Sequence, residues 1–167
     1  MRSVFVLVIC SLMVLTGCSK GSYIGEISTS YPVLAVVFES GTLHGEPYSG
    51  VVYRKITDPD KLIAGSGIPV LLAYIDDSAF STTALSFIET LADDFNGSLL
   101  VVRIYVEISD NPAEVDKLTG LFGVSVFPFF AVVRNGLSLG SVSGYNAVSE
   151  KKVLDIIREA IDQARSD

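Results

Sequence analysis

The chain has 167 residues, of which 49% are hydrophobic, and this length suffices for one domain with a sizeable core. Its 12 Lys and Arg against 19 Asp and Glu give a formal net charge of −7, which without any basic run argues against a nucleic-acid partner. One histidine and no acidic cluster at ligand spacing predict no metal ion, and we expect no other cofactor.

The first residues predict a lipoprotein signal peptide. An apolar run from Val4 to Leu15 follows the positive charge of Arg2, and it is shorter than the ~20 residues that a membrane-spanning helix needs. The run ends in Leu15-Thr16-Gly17-Cys18, which resembles the lipobox of bacterial lipoproteins. The resemblance implies removal of residues 1–17, a diacylglycerol on the thiol of Cys18 and an acylated N-terminus, for example with palmitate. An ordinary secretory signal that contains a cysteine is the alternative.

The predicted lipid attaches the chain to a membrane of the bacterial cell envelope. Several acyl chains on Cys18 make a stable anchor. Ser19 is not the acidic residue associated with inner-membrane retention, so in a cell with two membranes we expect the outer membrane, facing the periplasm or the surface. The only other cysteine, Cys10, lies in the predicted signal peptide, so we expect a mature domain without free thiols or disulfides.

The segment after the lipid site predicts a tether and then a β extension. Residues 18–30 are polar and contain Gly and Ser, a composition typical of a flexible coil. Tyr31 to Glu39 predict a strand, and the turn-forming residues from Ser40 to Gly50 predict a loop. We expect residues 31–50 to form an N-terminal β extension. Its strand would lie at a sheet edge or pair with another chain, so a homo-oligomer is one expectation.

Residues 51–167 show strand and helix patterns in alternation. Strand-like runs lie at 51–55, 69–75, 99–106, 129–133 and 137–142, and helical patterns begin near 58, 78, 111 and 149. The strand, helix and strand between 69 and 106 predict a parallel pair with a right-handed crossover. Arg134-Asn135-Gly136 predicts a hairpin turn, and Ser149 is the predicted cap of the last helix. The order predicts an α/β fold with helices on both sides of a mixed sheet.

Four stretches of this region resemble the thioredoxin fold. They are Pro69-Val70-Leu71-Leu72 in the central strand, Phe87 to Phe95 in the long helix, Asn111-Pro112 at the start of the next helix, and Phe122 to Phe129 before the hairpin. The resemblance implies a thioredoxin-like three-layer α/β/α domain at 51–167. In that family the proline at the position of Pro128 is cis, presses against the active-site loop and leaves the preceding backbone open to an extended substrate.

The two cysteines of that family have no counterpart in this chain. Thiol–disulfide exchange needs a thiolate nucleophile and a second sulfur atom. Aligning from the central strand places Ala79 and Thr82 at the cysteine positions, whereas aligning from the following helix places Ser78 and Ser81 there. Both registers stay open, and neither contains sulfur. We therefore expect neither a disulfide oxidoreductase nor another enzyme.

Acidic and hydroxyl side chains cluster at this strand-to-helix junction. The cluster consists of Asp76, Asp77, Ser78, Ser81, Thr82 and Thr83. Helix capping is the simplest interpretation, and a surface for anions or hydrogen bonds at a helix N-terminus is the alternative. An enzyme of another class that uses Asp76 and Asp77 is a third interpretation, which would require a raised carboxylate pKa in a pocket. His44 lies in a distant loop and no nucleophile motif is present, which argues against Ser-His-Asp hydrolysis.

Aromatic residues near Pro128 suggest a binding groove, although filling of the core is their alternative role. The candidate groove consists of Ser78, Phe80, Ser81, Phe127 and Pro128. Since a fold alone does not define a function, the leading hypothesis is a membrane-anchored, non-catalytic thioredoxin-like binding or scaffold module whose partner is another envelope protein or peptide. The alternative is an accessory factor that binds extended polypeptides in envelope protein assembly or redox maturation without disulfide exchange.

Overall fold

The computed structural model describes residues 33–43, 46–57, 64, 66–106 and 122–167. They form six strands and two helices, which in chain order are β1 (Val33–Leu43), β2 (Glu46–Lys55), β3 (Val70–Ile75), α1 (Ala79–Asp94), β4 (Leu100–Tyr105), β5 (Phe129–Arg134), β6 (Leu137–Ser143) and α2 (Ala147–Ser166).

Several predicted features lie outside the described residues. These are the signal peptide with Cys18, the tether, His44, the helix predicted near residue 58 and the helix predicted from Asn111. The helices predicted near residue 58 and from Asn111 were expected to form the second helical layer over the sheet, so that layer lies outside the described residues. Within the described part of the chain, no helix is both long and apolar enough to cross a membrane.

The strands form one mixed sheet in the order β2-β1-β4-β3-β5-β6. Strands β3 and β4 are parallel, as the sequence predicts, because α1 connects them as a crossover. All other neighbouring pairs are antiparallel. The predicted hairpin turn is also confirmed, since Asn135 and Gly136 have the positive φ angles of 50° and 77° that a tight turn between β5 and β6 requires.

One row of paired residues crosses five strands and marks an end of the sheet. Val33 pairs with Ile104, Ile104 with Tyr74, Tyr74 with Phe129, and Phe129 with Ser143. Beyond this row β3 and β4 end, β5 begins and β6 ends, and the chain enters β1. We call this the junction end, because the β3–α1 junction lies there.

The N-terminal hairpin is longer than the sequence predicts. The predicted loop at 40–50 is wrong, because β1 continues to Leu43 and β2 already begins at Glu46, and the two strands pair from Leu34↔Lys55 to Leu43↔Glu46. The small and turn-forming residues there are held extended by a paired partner strand, a context that overrides their low β propensity. Since β1 lies between β2 and β4, the strand of this hairpin that lies at an edge of the described sheet is β2, with β6 at the other edge.

The two faces of the sheet bury separate apolar clusters. Helices α1 and α2 cover one face, through residues such as Ile88 and Ile157. The other face carries Leu72, Tyr74 and Phe129. Every residue of β3 is buried, as its continuous apolar run predicts for a strand covered on both sides. The β5 strand sends successive aromatic rings to opposite faces, with Phe130 in the helix-covered cluster.

The cap of α2 differs from the prediction by three residues. Asn146, rather than Ser149, is the N-cap, and its side-chain oxygen accepts from the backbone N–H of Ser149 at 3.0 Å. The Ser149 hydroxyl oxygen accepts in return from the backbone N–H of Asn146 at 2.6 Å. This reciprocal capping box explains why a serine at the third helical position resembles a cap in the sequence.

Candidate functional site

The β3–α1 junction is organised around one carboxylate. Asp76 directly follows β3, and its Oδ1 accepts hydrogen bonds from the Ser78 hydroxyl at 2.6 Å, the Ser81 hydroxyl at 2.5 Å and the Ser78 backbone N–H at 3.2 Å. The Ser81 hydroxyl oxygen accepts from the backbone N–H of Asp76 at 3.1 Å. Each of the two serines thus connects the loop to the first turn of the helix.

Ser78 is the N-cap of α1, as the capping interpretation predicts. Its hydroxyl oxygen accepts from the backbone N–H of Ser81 at 3.2 Å. The Thr82 hydroxyl donates a hydrogen bond of 3.1 Å to the backbone carbonyl of Ser78, and the Thr83 hydroxyl donates one of 2.8 Å to that of Ala79. Because these hydroxyls satisfy local backbone and carboxylate groups, the cluster forms a closed hydrogen-bonded unit.

The electrostatics of Asp76 differ from those of a catalytic acid. Burial alone raises the pKa of this carboxyl, but hydrogen bonds from Ser78 and Ser81 outweigh burial, so the pKa lies below its ordinary value of 3.8. The carboxylate is therefore ionised at neutral pH. A general acid needs the opposite shift, toward neutral pH. In this arrangement the Asp76 carboxylate accepts hydrogen bonds and thereby fixes the start of α1.

Pro128 lies beside this junction, and its peptide bond with Phe127 is cis, as the resemblance implies. Tyr74, two residues before Asp76, pairs with Phe129, the residue after the proline. The Pro128 carbonyl accepts a hydrogen bond of 2.8 Å from the backbone N–H of Gly144, beyond β6. These contacts bring the ends of β3 and β6 and the start of β5 together at the junction end.

The two aromatic residues of the candidate groove have different environments. Phe80 is 67% exposed, whereas Phe127 is half-buried and packs against the apolar cluster with Tyr74. An aromatic patch was expected to depend on the exposure of both rings, and here Phe80 is largely exposed while Phe127 keeps only part of its surface. Ser81 is fully buried and Pro128 is buried as well, so Phe80 and the half-buried Ser78 and Phe127 are the candidate residues with surface at this end.

Two exposed apolar residues near this site were not predicted. Val126, three residues before β5, is 50% exposed, and Val148, the second residue of α2, is 65% exposed. Val126 lies in the largely apolar stretch from Val124 to Phe130 and Val148 follows Ala147, so no pattern in the sequence marks either position as exposed. Val148 also borders a shallow cavity of about 540 Å³ with Asn146 and Lys152.

Tyr74 is a second unpredicted feature. Its side chain is fully buried, and among the described residues its hydroxyl has no hydrogen-bond partner. The ring makes edge contacts with Phe122 and Phe129, at centroid distances of 6.1 and 5.9 Å. Burial raises the pKa of this phenol well above its ordinary value, so the hydroxyl stays neutral.

A third unpredicted cluster joins the N-terminal hairpin to α1. The Tyr53 hydroxyl of β2 donates a hydrogen bond to Oε1 of Glu89 in α1. The Arg103 guanidinium of β4 lies 4.4 Å from the centre of the Tyr53 ring. Burial, followed by the contact with Glu89, raises the pKa of Tyr53 to about 12. In the described part of the chain, no three His, Cys, Asp or Glu side chains come together as metal ligands.

The fold is similar to that of solved thioredoxins. Thioredoxin from Fasciola hepatica is 19% identical, with a TM-score of 0.50, over 62% of this chain and 91% of that one. The short form of spinach chloroplast thioredoxin f is 20% identical, with a TM-score of 0.47, over 59% of this chain and 81% of its own. Thioredoxin from Malassezia sympodialis is 17% identical, with a TM-score of 0.44, over 60% and 82% of the two chains.

At this level of identity, the similarity to the Fasciola hepatica protein establishes the fold and nothing further. The chain has a thioredoxin-like α/β fold with a mixed sheet, which confirms the fold expected from the sequence. No protein-family profile and no curated protein sequence matches the chain.

Proposed function

We propose that this chain is a lipid-anchored, non-catalytic thioredoxin-like module of the bacterial cell envelope, attached through Cys18 and serving as a binding or scaffold domain. In a cell with two membranes the anchor lies in the outer membrane, with the domain in the periplasm or on the surface. The lipobox-like LTGC sequence and the apolar run before it support the anchor.

The hydrogen bonding of Ser78 and Ser81 is the observation that carries the non-catalytic part of the proposal. Both hydroxyls donate to Oδ1 of Asp76, whose own pKa is lowered rather than raised. A serine nucleophile would need an adjacent base with a pKa near neutral. The sequence from Ser19 to Asp167 contains no cysteine, so no thiol is available in place of these hydroxyls. These facts favour a structural role for the junction.

The partner in this proposal is another envelope protein or peptide, and the edge strand β2 is one surface on which it can pair. This strand spans Glu46–Lys55, and among the described strands it has a neighbour on one side only. An unpaired strand edge is a template for a further strand from a partner or from a second copy of the chain. Pro47 and the charged residues Arg54 and Lys55 restrict indiscriminate pairing there.

Metabolic labelling tests the anchor. Cells that produce the full chain are fed a palmitate analogue, and label in the chain is compared with that in Cys18→Ser, with Cys10→Ser as the matched control. We expect label and membrane association in the wild type and in Cys10→Ser, and loss of both in Cys18→Ser. Equal membrane association of all three chains, without label, would contradict the anchor. A dithiol-dependent disulfide reduction assay on the same preparations is expected to show no turnover.

The alternative function is binding of extended polypeptides in envelope protein assembly or redox maturation, without disulfide exchange. The exposure of Phe80 and Val126 at the junction end favours it. A photo-crosslinking residue at position 126 tests it in intact cells, with the same residue at exposed Asp162 of α2 as the control. One polypeptide captured from position 126 alone would support this alternative. Equal capture from both positions, or none, would argue against it.

A further inference from the structure

The most exposed apolar residues of the described chain lie at the end of the sheet where the chain enters the domain. Phe80, Val148 and Val126 are 67%, 65% and 50% exposed, ahead of every other large hydrophobic residue in the described segments. Phe80 follows β3, Val126 precedes β5 and Val148 follows β6, so all three lie beyond the row of paired residues that defines the junction end.

The position of Val33 fixes where the preceding segment is attached. Val33 pairs with Ile104 in the same row, and β1 runs antiparallel to β4. Residues before Val33 therefore join the domain at the junction end, next to the end of β4. The tip of the β1–β2 hairpin points toward the opposite end of the sheet, because β1 continues past Val36, its last residue paired with β4.

The length of chain before Val33 limits how far this end lies from an anchor at Cys18. Ser19 to Pro32 comprise 14 residues. The composition of this segment predicts a flexible coil, and a coil of that length has a root-mean-square span of about 20 Å. Helix α2 has 20 residues, which corresponds to a length of about 30 Å. An anchored chain with such a tether therefore keeps its junction end within about 20 Å of the lipid on average, a distance shorter than α2.

We propose that Phe80, Val126 and Val148 form a lipid-contacting surface. Through this surface the junction end of the domain contacts the bilayer that holds the Cys18 anchor. This proposal rests on the anchor in the proposed function. Apolar side chains presented beside charged groups are typical of surfaces that enter the headgroup region. Asp77 is exposed near Phe80, and Lys151 and Lys152 are exposed just after Val148, so charges of both signs border the surface.

Charges of both signs make the expected contact apolar rather than electrostatic. A surface that depended on basic residues would require anionic lipids and weaken with salt. Here we expect contact with zwitterionic phosphatidylcholine and little change with ionic strength. A lipid contact leaves the β2 edge open to a protein partner, and it competes with any polypeptide at Phe80 and Val126.

Tryptophan fluorescence tests the orientation, because the chain has no tryptophan of its own. Full-length lipidated Phe80→Trp and Val148→Trp are reconstituted into phosphatidylcholine vesicles with brominated acyl chains, which quench a nearby indole. Leu137→Trp is the matched control, because Leu137 is 45% exposed and pairs with Arg134 at the opposite end of the sheet. We expect emission from positions 80 and 148 to fall by about half, and emission from position 137 to stay unchanged.

Flotation of the same samples separates failure of the orientation from failure of the anchor. Vesicles that carry the protein while all three indoles respond alike would overturn the lipid-contacting surface and leave the anchor intact. A blue-shifted but unquenched indole at position 80 would overturn it in favour of a polypeptide contact. Chains that do not float with vesicles would contradict the anchor, and the orientation with it.

Discussion

The hydroxyl of Ser81 donates a 2.5 Å hydrogen bond to Oδ1 of Asp76, and the Ser81 side chain is fully buried. The bond joins the first turn of α1 to the residue that directly follows the central strand β3. Ser78 donates to the same oxygen at 2.6 Å. The strand-to-helix junction is thus held by hydroxyls and a carboxylate.

Removal of the Ser81 hydroxyl tests its structural role. Ser81→Ala takes a donor from Asp76 and an acceptor from the Asp76 backbone N–H, so we expect it to lower the free energy of unfolding by about 1–3 kcal/mol. Thr82→Ala is the matched control, because Thr82 is exposed, and we expect it to change stability by about 0.5 kcal/mol or less. Urea denaturation measures both. Equal effects would show that the Ser81 bond has no special role.

The lowered pKa of Asp76 predicts a pH-dependent stability. A carboxyl whose folded pKa lies below its unfolded value stabilises the fold above the unfolded pKa, and this contribution is lost as the pH falls through the folded pKa. We therefore expect the wild type to exceed Asp76→Asn in stability near neutral pH and the difference to shrink below the ordinary pKa of 3.8. Unfolding free energies across this pH range measure it, with exposed Asp77→Asn as the charge control. A difference that is independent of pH would contradict the hydrogen-bonded carboxylate.

The Tyr74 hydroxyl has no hydrogen-bond partner among the described residues, which predicts an unusual tolerance in the core. Tyr74→Phe keeps the ring contacts with Phe122 and Phe129 and removes a buried polar atom, so we expect stability to stay the same or to rise by about 1 kcal/mol. Tyr145→Phe is the comparison, because its hydroxyl donates to Glu150. We expect that substitution to lower stability, by about 1 kcal/mol at most. Thermal unfolding distinguishes the two, and a clear loss in Tyr74→Phe would reveal a partner for its hydroxyl.

The contact between Tyr53 and Glu89 predicts that the N-terminal hairpin is coupled to α1. A double-mutant cycle of Tyr53→Phe and Glu89→Gln is expected to give a coupling energy of about 0.5–1.5 kcal/mol. The Arg103 guanidinium over the Tyr53 ring supports the same geometry. Additive effects in chemical denaturation would mean that this hydrogen bond does not couple the hairpin to α1.

The central sheet could be predicted because its signals are local and strong. The continuous apolar run of β3 requires burial on both faces, and Asn135-Gly136 fixes the turn between β5 and β6. The extent of β1 and β2 could not be predicted. Residues 40–50 are turn formers by composition, and their extended state depends on cross-strand pairing, which a single strand does not encode.

The candidate site was predicted in position but only partly in detail. Ser78 and Ser81 could be placed at the helix start, because capping residues precede an apolar helical pattern. Phe80 is exposed whereas Phe127 is half-buried. This difference depends on the direction in which the backbone presents each side chain, and the residue type does not determine that direction. The exposure of Val126 and Val148 could not be predicted either. These two residues reach one end of the sheet because Val126 precedes β5 and Val148 follows β6, and a local sequence pattern does not encode that arrangement.

Intact mass spectrometry of the chain purified from membranes tests the central claim most directly, after reduction and treatment with iodoacetamide. A thiol-free, lipid-anchored module predicts a chain that begins at Cys18, carries the mass of diacylglycerol and attached acyl groups, and takes up no carbamidomethyl group. A chain with an unmodified Cys18 that reacts with iodoacetamide would contradict both the anchor and the absence of a free thiol.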